Sequence, residues 1–257
     1  MPARTISKAI VAIGGGEIRT RGTSAIDLEI IRLSRKIHPR VLFIPTASSD
    51  SPNYCEHFTS YFGDFLKCKT DFLLLSQAPP AAPEIERKIF SADIVYVGGG
   101  NTLYMMRVWR RLGVDRTLKA AYERGIVLSG ISAGSICWFD SGHSDSMSFY
   151  HPHNWKYINV KGLGLVRGVH CPHYNSRTRG VSRRKDFQRM ISHIGGAGIA
   201  LENNCAIAFL DGRYYRILTS KPDAQAYRIS RRGGEIVSER IRQDPGLTPI
   251  ESLTSCA

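Results

Sequence analysis

The first half of the chain alternates short apolar runs with stretches whose apolar residues recur at helical spacing. This alternation is typical of a parallel sheet that crossover helices bury on both faces. We therefore expect an α/β fold with three layers, in which a mostly parallel central sheet carries helices on both faces, in one domain over residues 1–257. The predicted strands occupy residues 8–13, 41–45, 71–75, 93–97 and 126–131.

The pattern changes after Phe139. Residues 140–161 are rich in His, Ser, Asp and Pro, which predicts a polar insertion of loop character. A strand near residues 168–174 and a polar helix near 182–194 follow. Asp211-Gly212 and Gly233-Gly234 each separate two strand-like runs and predict two C-terminal hairpins. We expect the tail after about residue 244 to be loose.

The bulk composition excludes several classes of protein. Hydrophobic residues make up 42% of the chain and charged residues 22%, as in a soluble globular protein. No apolar run reaches the roughly 18 residues of a membrane span, and the first residues show no cleavage site, so we expect a cytoplasmic protein without a membrane partner. The six cysteines contain no C-x-x-C pair, which predicts reduced, mostly buried thiols.

The net charge of +13 is the unusual bulk property. Positive charge is densest over residues 177–185 and 228–242, but neither segment interleaves aromatic residues as a surface for single-stranded nucleic acid does. We therefore interpret these segments as a solvated basic face and do not expect a nucleic-acid partner.

The segment Gly130-Ile131-Ser132-Ala133-Gly134 fits the G-x-S-x-G pattern of a nucleophile elbow. It follows a predicted buried strand, and residues 136–139 can continue as a buried helix. The hydroxyl of Ser132 would then stand at the carboxyl edge of the sheet, where α/β proteins bind ligands. We predict that Ser132 is a nucleophile.

A serine nucleophile needs backbone donors, a base and an acid that orients the base. Gly98-Gly99-Gly100 ends the neighbouring strand and offers amides without side chains. His173 is the preferred base because it follows an apolar strand-like run toward the same sheet edge. The sequence alone leaves the acid open among Asp140, Asp145, Asp186 and Glu202.

No cofactor or metal site is expected. Gly14-Gly15-Gly16 lacks the G-x-G-x-x-G spacing of dinucleotide binding, and the second glycine triplet lacks the Lys-Ser/Thr of a phosphate-binding loop. His151-Pro152-His153 has no third ligand at a recognised spacing, which favours a polar loop.

Four motifs in order resemble the family of serine peptidases that includes peptidase E, the aspartyl dipeptidase, and the cyanophycinases. They extend over most of residues 8–218 and comprise residues 97–102 (VGGGNT), 130–135 (GISAGS), 171–174 (CPHY) and 198–204 (GIALENN). The resemblance implies a fold like class I glutamine amidotransferases, which is flavodoxin-like, and a Ser-His-Glu triad. In this sequence that triad would be Ser132, His173 and Glu202, with the amides of Gly99, Gly100 and Ala133 as the oxyanion hole.

The same resemblance implies hydrolysis of small peptides through an acyl-enzyme, with dipeptides bearing an N-terminal aspartate as candidate substrates. An arginine would pair with the aspartate carboxylate. Asp145 matches a second acidic position associated with the family's active site. The residues expected to bind substrate are Asn101, Asp145, Arg177 and Arg184, with Arg179 and Arg183 close by in the sequence.

Three other functions remain open. The same triad suits an esterase or amidase acting on a non-peptide substrate. A catalytically silent protein could retain the fold and bind an acidic partner through its arginines. A cysteine enzyme would have to use Cys137, five positions past the serine in the predicted helix. The architecture is also compatible with a homodimer.

Overall fold

The computed structural model describes residues 7–244 and 246–254. An eight-stranded sheet has the strand order β16-β13-β12-β1-β5-β4-β2-β3, and the run from β1 to β3 is parallel throughout. Three antiparallel strands extend it at the other edge. The strands are β1 Ala9–Ile13, β2 Arg40–Ile44, β3 Lys69–Phe72, β4 Ile94–Val97, β5 Val127–Ile131, β12 Cys205–Leu210, β13 Tyr214–Thr219 and β16 Thr248–Pro249.

Helices cover both faces of this sheet, which confirms the predicted fold class. Alternate residues of the central strands enter two different cores: Val41 packs on one side and Leu42 on the other, as the two-residue period of a strand requires. One core includes α1 and α2, and the other includes α3, α4 and α5. The helices are α1 Ser24–Leu33, α2 Pro52–Phe58 with a π-helical continuation Thr59–Phe65, α3 Ala82–Phe90, α4 Thr102–Leu112 and α5 Val114–Glu123.

A second, six-stranded sheet was not predicted. Its order is β15-β14-β11-β8-β6-β7, and α7 (Arg183–Ile194) packs on it. Two further short strands, Arg177–Thr178 (β9) and Val181–Ser182 (β10), form a separate ribbon. The strands of the second sheet are β6 Phe139–Ser144, β7 Ile158–Lys161, β8 Val166–Cys171, β11 Ala197–Leu201, β14 Ala226–Arg232 and β15 Glu235–Ile241.

The expectation of a polar loop over residues 140–161 was therefore wrong at both of its ends. β6 and β7 pair with each other there, and His143 and Ser144 are fully buried. Their polar groups are satisfied by other side chains: His143 Nε2 lies 3.0 Å from Asp186 Oδ1, and Ser144 Oγ donates to Thr102 Oγ1 at 3.1 Å. Polar composition misleads where buried polar groups pair with each other.

Of three further local predictions, two need revision and one is confirmed. The helix after the elbow, α6 (Ala133–Ile136), is one turn long, because the chain enters β6 at Phe139. The tail is not loose over its described part, since β16 pairs with β13 and Leu253 in the last helix, α8 (Glu251–Thr254), is buried. Both hairpins are confirmed, and their turn residues all have positive φ: Asp211, Gly212, Gly233 and Gly234.

Candidate active site

The nucleophile elbow has the backbone strain that its sequence pattern predicts. Ser132 lies between β5 and α6 with φ 57° and ψ −113°, a conformation that side-chain-bearing residues seldom adopt. A Cβ on Gly130 would lie 2.2 Å from the carbonyl oxygen of Gly134, and one on Gly134 would lie 2.2 Å from that of Val97. Both flanking glycines are thus sterically required by the tight turn.

The end of β1 ties the parts of the site together. The amide of Ser132 donates to the carbonyl of Ile13 at 3.1 Å, and the amide of His173 donates to that of Gly14 at 2.8 Å. The next carbonyl, of Gly15, accepts from Asn204 at 2.8 Å. Three consecutive carbonyls therefore hold the elbow, the histidine loop and the loop after β11. Sequence reasoning missed this role of the first glycine triplet.

His173 meets Asn203 through its Nδ1 atom. The ring nitrogen lies 2.5 Å from Asn203 Oδ1, and Asn203 Nδ2 donates to Ser176 Oγ at 3.0 Å. Because the amide oxygen can only accept, Nδ1 carries the hydrogen and Nε2 keeps its lone pair. A Cβ on Gly15 would lie 2.3 Å from Nδ1 and 2.1 Å from Oδ1, so this contact requires glycine there.

The imidazole of His173 is neutral near pH 7. Burial, and after it the positive charge of Arg183, lower the pKa of His173 to about 4, although the hydrogen bond to Asn203 and the charge of Asp145 oppose the shift. A neutral imidazole with a free Nε2 can accept a proton from a serine hydroxyl. The electrostatics therefore suit a general base.

Glu202 does not contact His173, contrary to the triad implied by the resemblance. Its carboxylate accepts hydrogen bonds from Arg184 at 3.3 Å and from the amide of Gln225 at 3.1 Å. Glu202 follows the last residue of β11 and Asn203 begins the turn that leads to β12, and the two adjacent side chains have different partners. The group on His173 Nδ1 is an amide, one position further along.

The other acids and Cys137 are also occupied elsewhere. Asp186 pairs with His143, and Asp140 accepts from the amide of Gly168 at 2.9 Å. The Cys137 thiol is buried and donates to the carbonyl of Gly134 at 3.1 Å, and burial raises its pKa well above the ordinary value. A thiol that resists ionisation is a poor nucleophile, which argues against a cysteine enzyme.

Ser132 and His173 both line each of two cavities. The first, of about 330 Å³, includes Tyr54 and Gly99. The second, of about 300 Å³, includes Asp145 and Arg183. An extended peptide crossing the serine would place the residues on either side of its scissile bond in the two cavities.

Arg183 is the arginine of the second cavity whose guanidinium is buried. Its Nη2 donates to Asp145 Oδ2 at 2.5 Å and its Nε to Thr178 Oγ1 at 3.3 Å, and the residue is 3% exposed. The remaining nitrogen, Nη1, is buried without a hydrogen-bond partner among the described residues. An unpaired donor on a buried cation is costly, so this nitrogen is the unsatisfied group of the Arg183 guanidinium.

The structure also gives the positions of the three residues expected to form the oxyanion hole and of Asn101. Gly99 lies against Ser132, since a Cβ on it would be 3.3 Å from the serine Cβ; Gly100 lines the second cavity, and Ala133 bears the first amide of α6. Asn101, expected to bind substrate, instead caps α4 by accepting from the amide of Tyr104 at 3.0 Å.

The two exposed arginines differ in position. Arg177 lines the second cavity, and its guanidinium donates to the carbonyl of Gly180 at 2.9 Å. Arg184 lines neither cavity that contains Ser132; it pairs with Glu202 and lies over the rings of Tyr174 and Tyr227. Substrate binding by Arg184 therefore has no support in the geometry.

The model of peptidase family S51 matches residues 10–217. The chain belongs to peptidase family S51. It is 34% identical over 224 residues to the uncharacterized peptidase YgaJ of Bacillus subtilis (strain 168), covering 86% of this chain and 92% of that one. This S51 protein is accordingly an enzyme, a serine hydrolase of the peptidase type.

Solved structures share the fold. A peptidase from an acI-B1 actinobacterium aligns with TM-score 0.73 at 17% identity, over 95% of this chain and 98% of the other. A candidate peptidase E protein from Listeria monocytogenes EGD-e aligns with TM-score 0.57 at 19% identity, over 91% and 99%. At these identities the likeness concerns the fold.

Among residues 7–244 and 246–254, no group of three or more His, Cys, Asp or Glu side chains is arranged to hold a metal ion. None of the helices in the described part of the chain has the length and apolar character of a membrane span.

Proposed function

We propose that this S51 peptidase cleaves small peptides through an acyl-enzyme on Ser132. His173 Nε2 accepts the serine proton as Oγ attacks the peptide carbonyl, and the amides of Gly99 and Ala133 stabilise the oxyanion. The imidazolium then donates that proton to the leaving amine, and water hydrolyses the ester with His173 again as base. Asn203 holds the imidazole in the required tautomer.

The observation that carries this mechanism is the strained serine in the same two cavities as a neutral, half-buried histidine whose Nδ1 hydrogen is already committed. The arrangement corresponds to a nucleophile, a base and an amide that orients the base, as in Cys-His-Asn enzymes. We propose the cytosol as its compartment, where the five described cysteines, all free, remain thiols.

We further propose that the residue on the acyl side is an N-terminal aspartate. Arg183 lines the second cavity, and a guanidinium group suits the side-chain carboxylate of such a substrate. Asp145, on the same wall, suits the free α-ammonium group. Together these two charges match the ammonium and carboxylate of one aspartyl residue, and they discriminate against a neutral side chain of equal size.

The chemistry is tested with a fluorophosphonate probe and intact-protein mass spectrometry. We expect one adduct on the wild-type protein and none on Ser132→Ala. Labelling at a different residue, or undiminished labelling of Ser132→Ala, would refute the assignment of the nucleophile.

The substrate is tested with the isosteric pair Asp-Leu and Asn-Leu. We expect a kcat/KM ratio of roughly 10 to 100 in favour of Asp-Leu, as a charge-assisted hydrogen bond provides. Arg183→Gln should bring that ratio close to one, and a ratio is insensitive to partial loss of folded enzyme. Normal labelling with no cleavage of either dipeptide would retain the serine hydrolase and discard the aspartyl substrate.

A further inference from the structure

Tyr54 brings a phenolic hydroxyl into the first cavity beside the nucleophile. The same cavity is lined by Ser132, His173 and Gly99. The hydroxyl oxygen accepts a hydrogen bond from the amide of Gly99 at 3.4 Å. That amide is one of the two donors assigned above to the oxyanion, and in the free enzyme it donates to the phenol instead, so the phenol lies next to the position assigned to the oxyanion.

Packing fixes the position of the hydroxyl. The ring of Tyr54 meets Phe43 edge-on with centroids 5.0 Å apart. A Cβ on Gly98 would lie 3.0 Å from Tyr54 Cε1, so the backbone before Gly99 lies close against the ring. Ser51 Oγ accepts from the amide of Tyr54 at 3.4 Å and caps α2. The phenol is thus held by the core on one side and by a capped helix on the other.

The described residues offer no acceptor for the hydrogen of this hydroxyl. Among the described residues the only polar contact of the Tyr54 hydroxyl is the amide of Gly99, and in that contact the phenol oxygen is the acceptor. Tyr54 is half-buried, and a tyrosine hydroxyl inside a protein normally donates its hydrogen as well. Burial raises the pKa of Tyr54 to about 12, so the group keeps this hydrogen at neutral pH.

We infer that Tyr54 is a further catalytic residue, whose hydroxyl donates a hydrogen bond to the oxyanion formed on Ser132. No bond of Tyr54 itself is broken: the hydroxyl retains its proton and stabilises the charge while His173 carries the proton of Ser132. The inference rests on the proposed acyl transfer and adds a side-chain donor to the backbone amides. Such a donor acts on the transition state more than on the bound substrate.

The test is Tyr54→Phe, which keeps the ring and its packing. The measurements are the second-order rate of fluorophosphonate labelling at Ser132, kcat and KM for Asp-Leu, and the affinity of an aminoacyl boronic acid, whose tetrahedral adduct places an oxygen in the oxyanion hole. We expect the labelling rate, kcat and boronate affinity to fall by about 10-fold to 100-fold, with KM within about twofold of wild type.

Tyr104→Phe is the matched control, because Tyr104 is half-buried and lines neither cavity that contains Ser132. It should leave all of these quantities unchanged. Wild-type rates in Tyr54→Phe, or a loss confined to KM or to the thermal midpoint, would overturn the role of Tyr54. Absence of labelling at Ser132 in the wild type would instead overturn the proposed function, and this inference with it.

Discussion

Replacing Asn203 with aspartate should move the acid limb of the activity profile to higher pH. The base acts only while His173 is neutral, and burial beside Arg183 lowers the pKa of His173 to about 4. Wild-type reactivity should therefore hold from pH 8 down to about pH 5 and be halved near pH 4. A neutral amide on Nδ1 allows this because it adds no negative charge.

The size of the shift follows from the contact itself. Asn203→Asp puts a carboxylate where the amide oxygen now lies, 2.5 Å from Nδ1. An opposite charge at such range raises a histidine pKa by about 1 to 3 units, which moves the midpoint from near 4 to between roughly 5 and 7. With a midpoint of about 6, the neutral fraction at pH 5 falls about tenfold relative to that at pH 8.

The assay is the second-order rate of fluorophosphonate labelling between pH 4 and pH 8, with circular dichroism at each pH to establish that the protein stays folded. Asn204→Asp is the matched control, because it adds the same charge one residue along, beside Gly16 and Gly22. Asn204→Asp should shift the acid limb of the profile less than Asn203→Asp does. A wild-type midpoint above about pH 6, or an unmoved limb in Asn203→Asp, would refute the reasoning.

Three further predictions test other parts of the structure. Glu202→Gln should change the labelling rate by less than about threefold while Asn203→Ala lowers it at least tenfold; equal losses would restore Glu202 to the triad. Gly15→Ala should lower the labelling rate about 100-fold with native circular dichroism, because its Cβ would displace the imidazole; wild-type labelling would contradict this. Burial raises the pKa of Asp27 from 3.8 to about 7, so the native state retains a proton that the unfolded chain releases, and stability falls as pH rises through this window. Above pH 7 the raised pKa lowers the free energy of unfolding by roughly 4 kcal/mol. Between pH 5 and pH 8 the free energy of unfolding should therefore fall roughly 2.5 kcal/mol more in wild type than in Asp27→Asn. Parallel urea-denaturation profiles of the two proteins would refute the pKa shift.

Local patterns in the sequence were enough for the central sheet and the nucleophile. Strand and helix periods reflect which residues face a core, so the β-α alternation predicted the parallel strands and their two-sided burial. The elbow around Ser132 was predictable for a similar reason: its glycines are required by contacts within the turn and with the adjacent strand. Turn chemistry likewise located both hairpins, because positive φ favours Gly and Asp.

Only the tertiary structure decided the second sheet, whose strands β6 and β7 were concealed by polar composition. His143 is buried because Asp186, more than forty residues along the chain, lies beside it. No local pattern reveals a pairing of that kind, since it depends on how α7 packs on the sheet.

Tertiary structure also decided which side chains complete the site. Asn203, which contacts the imidazole, directly follows Glu202, which contacts Arg184. Several arginines lie close together in this part of the sequence. Arg183 differs from its neighbours because it is buried and its guanidinium contacts Asp145. A motif names residue types at a sheet edge, but side-chain direction depends on backbone geometry and packing, which in this protein bring together the ends of β1, β5, β8 and β11.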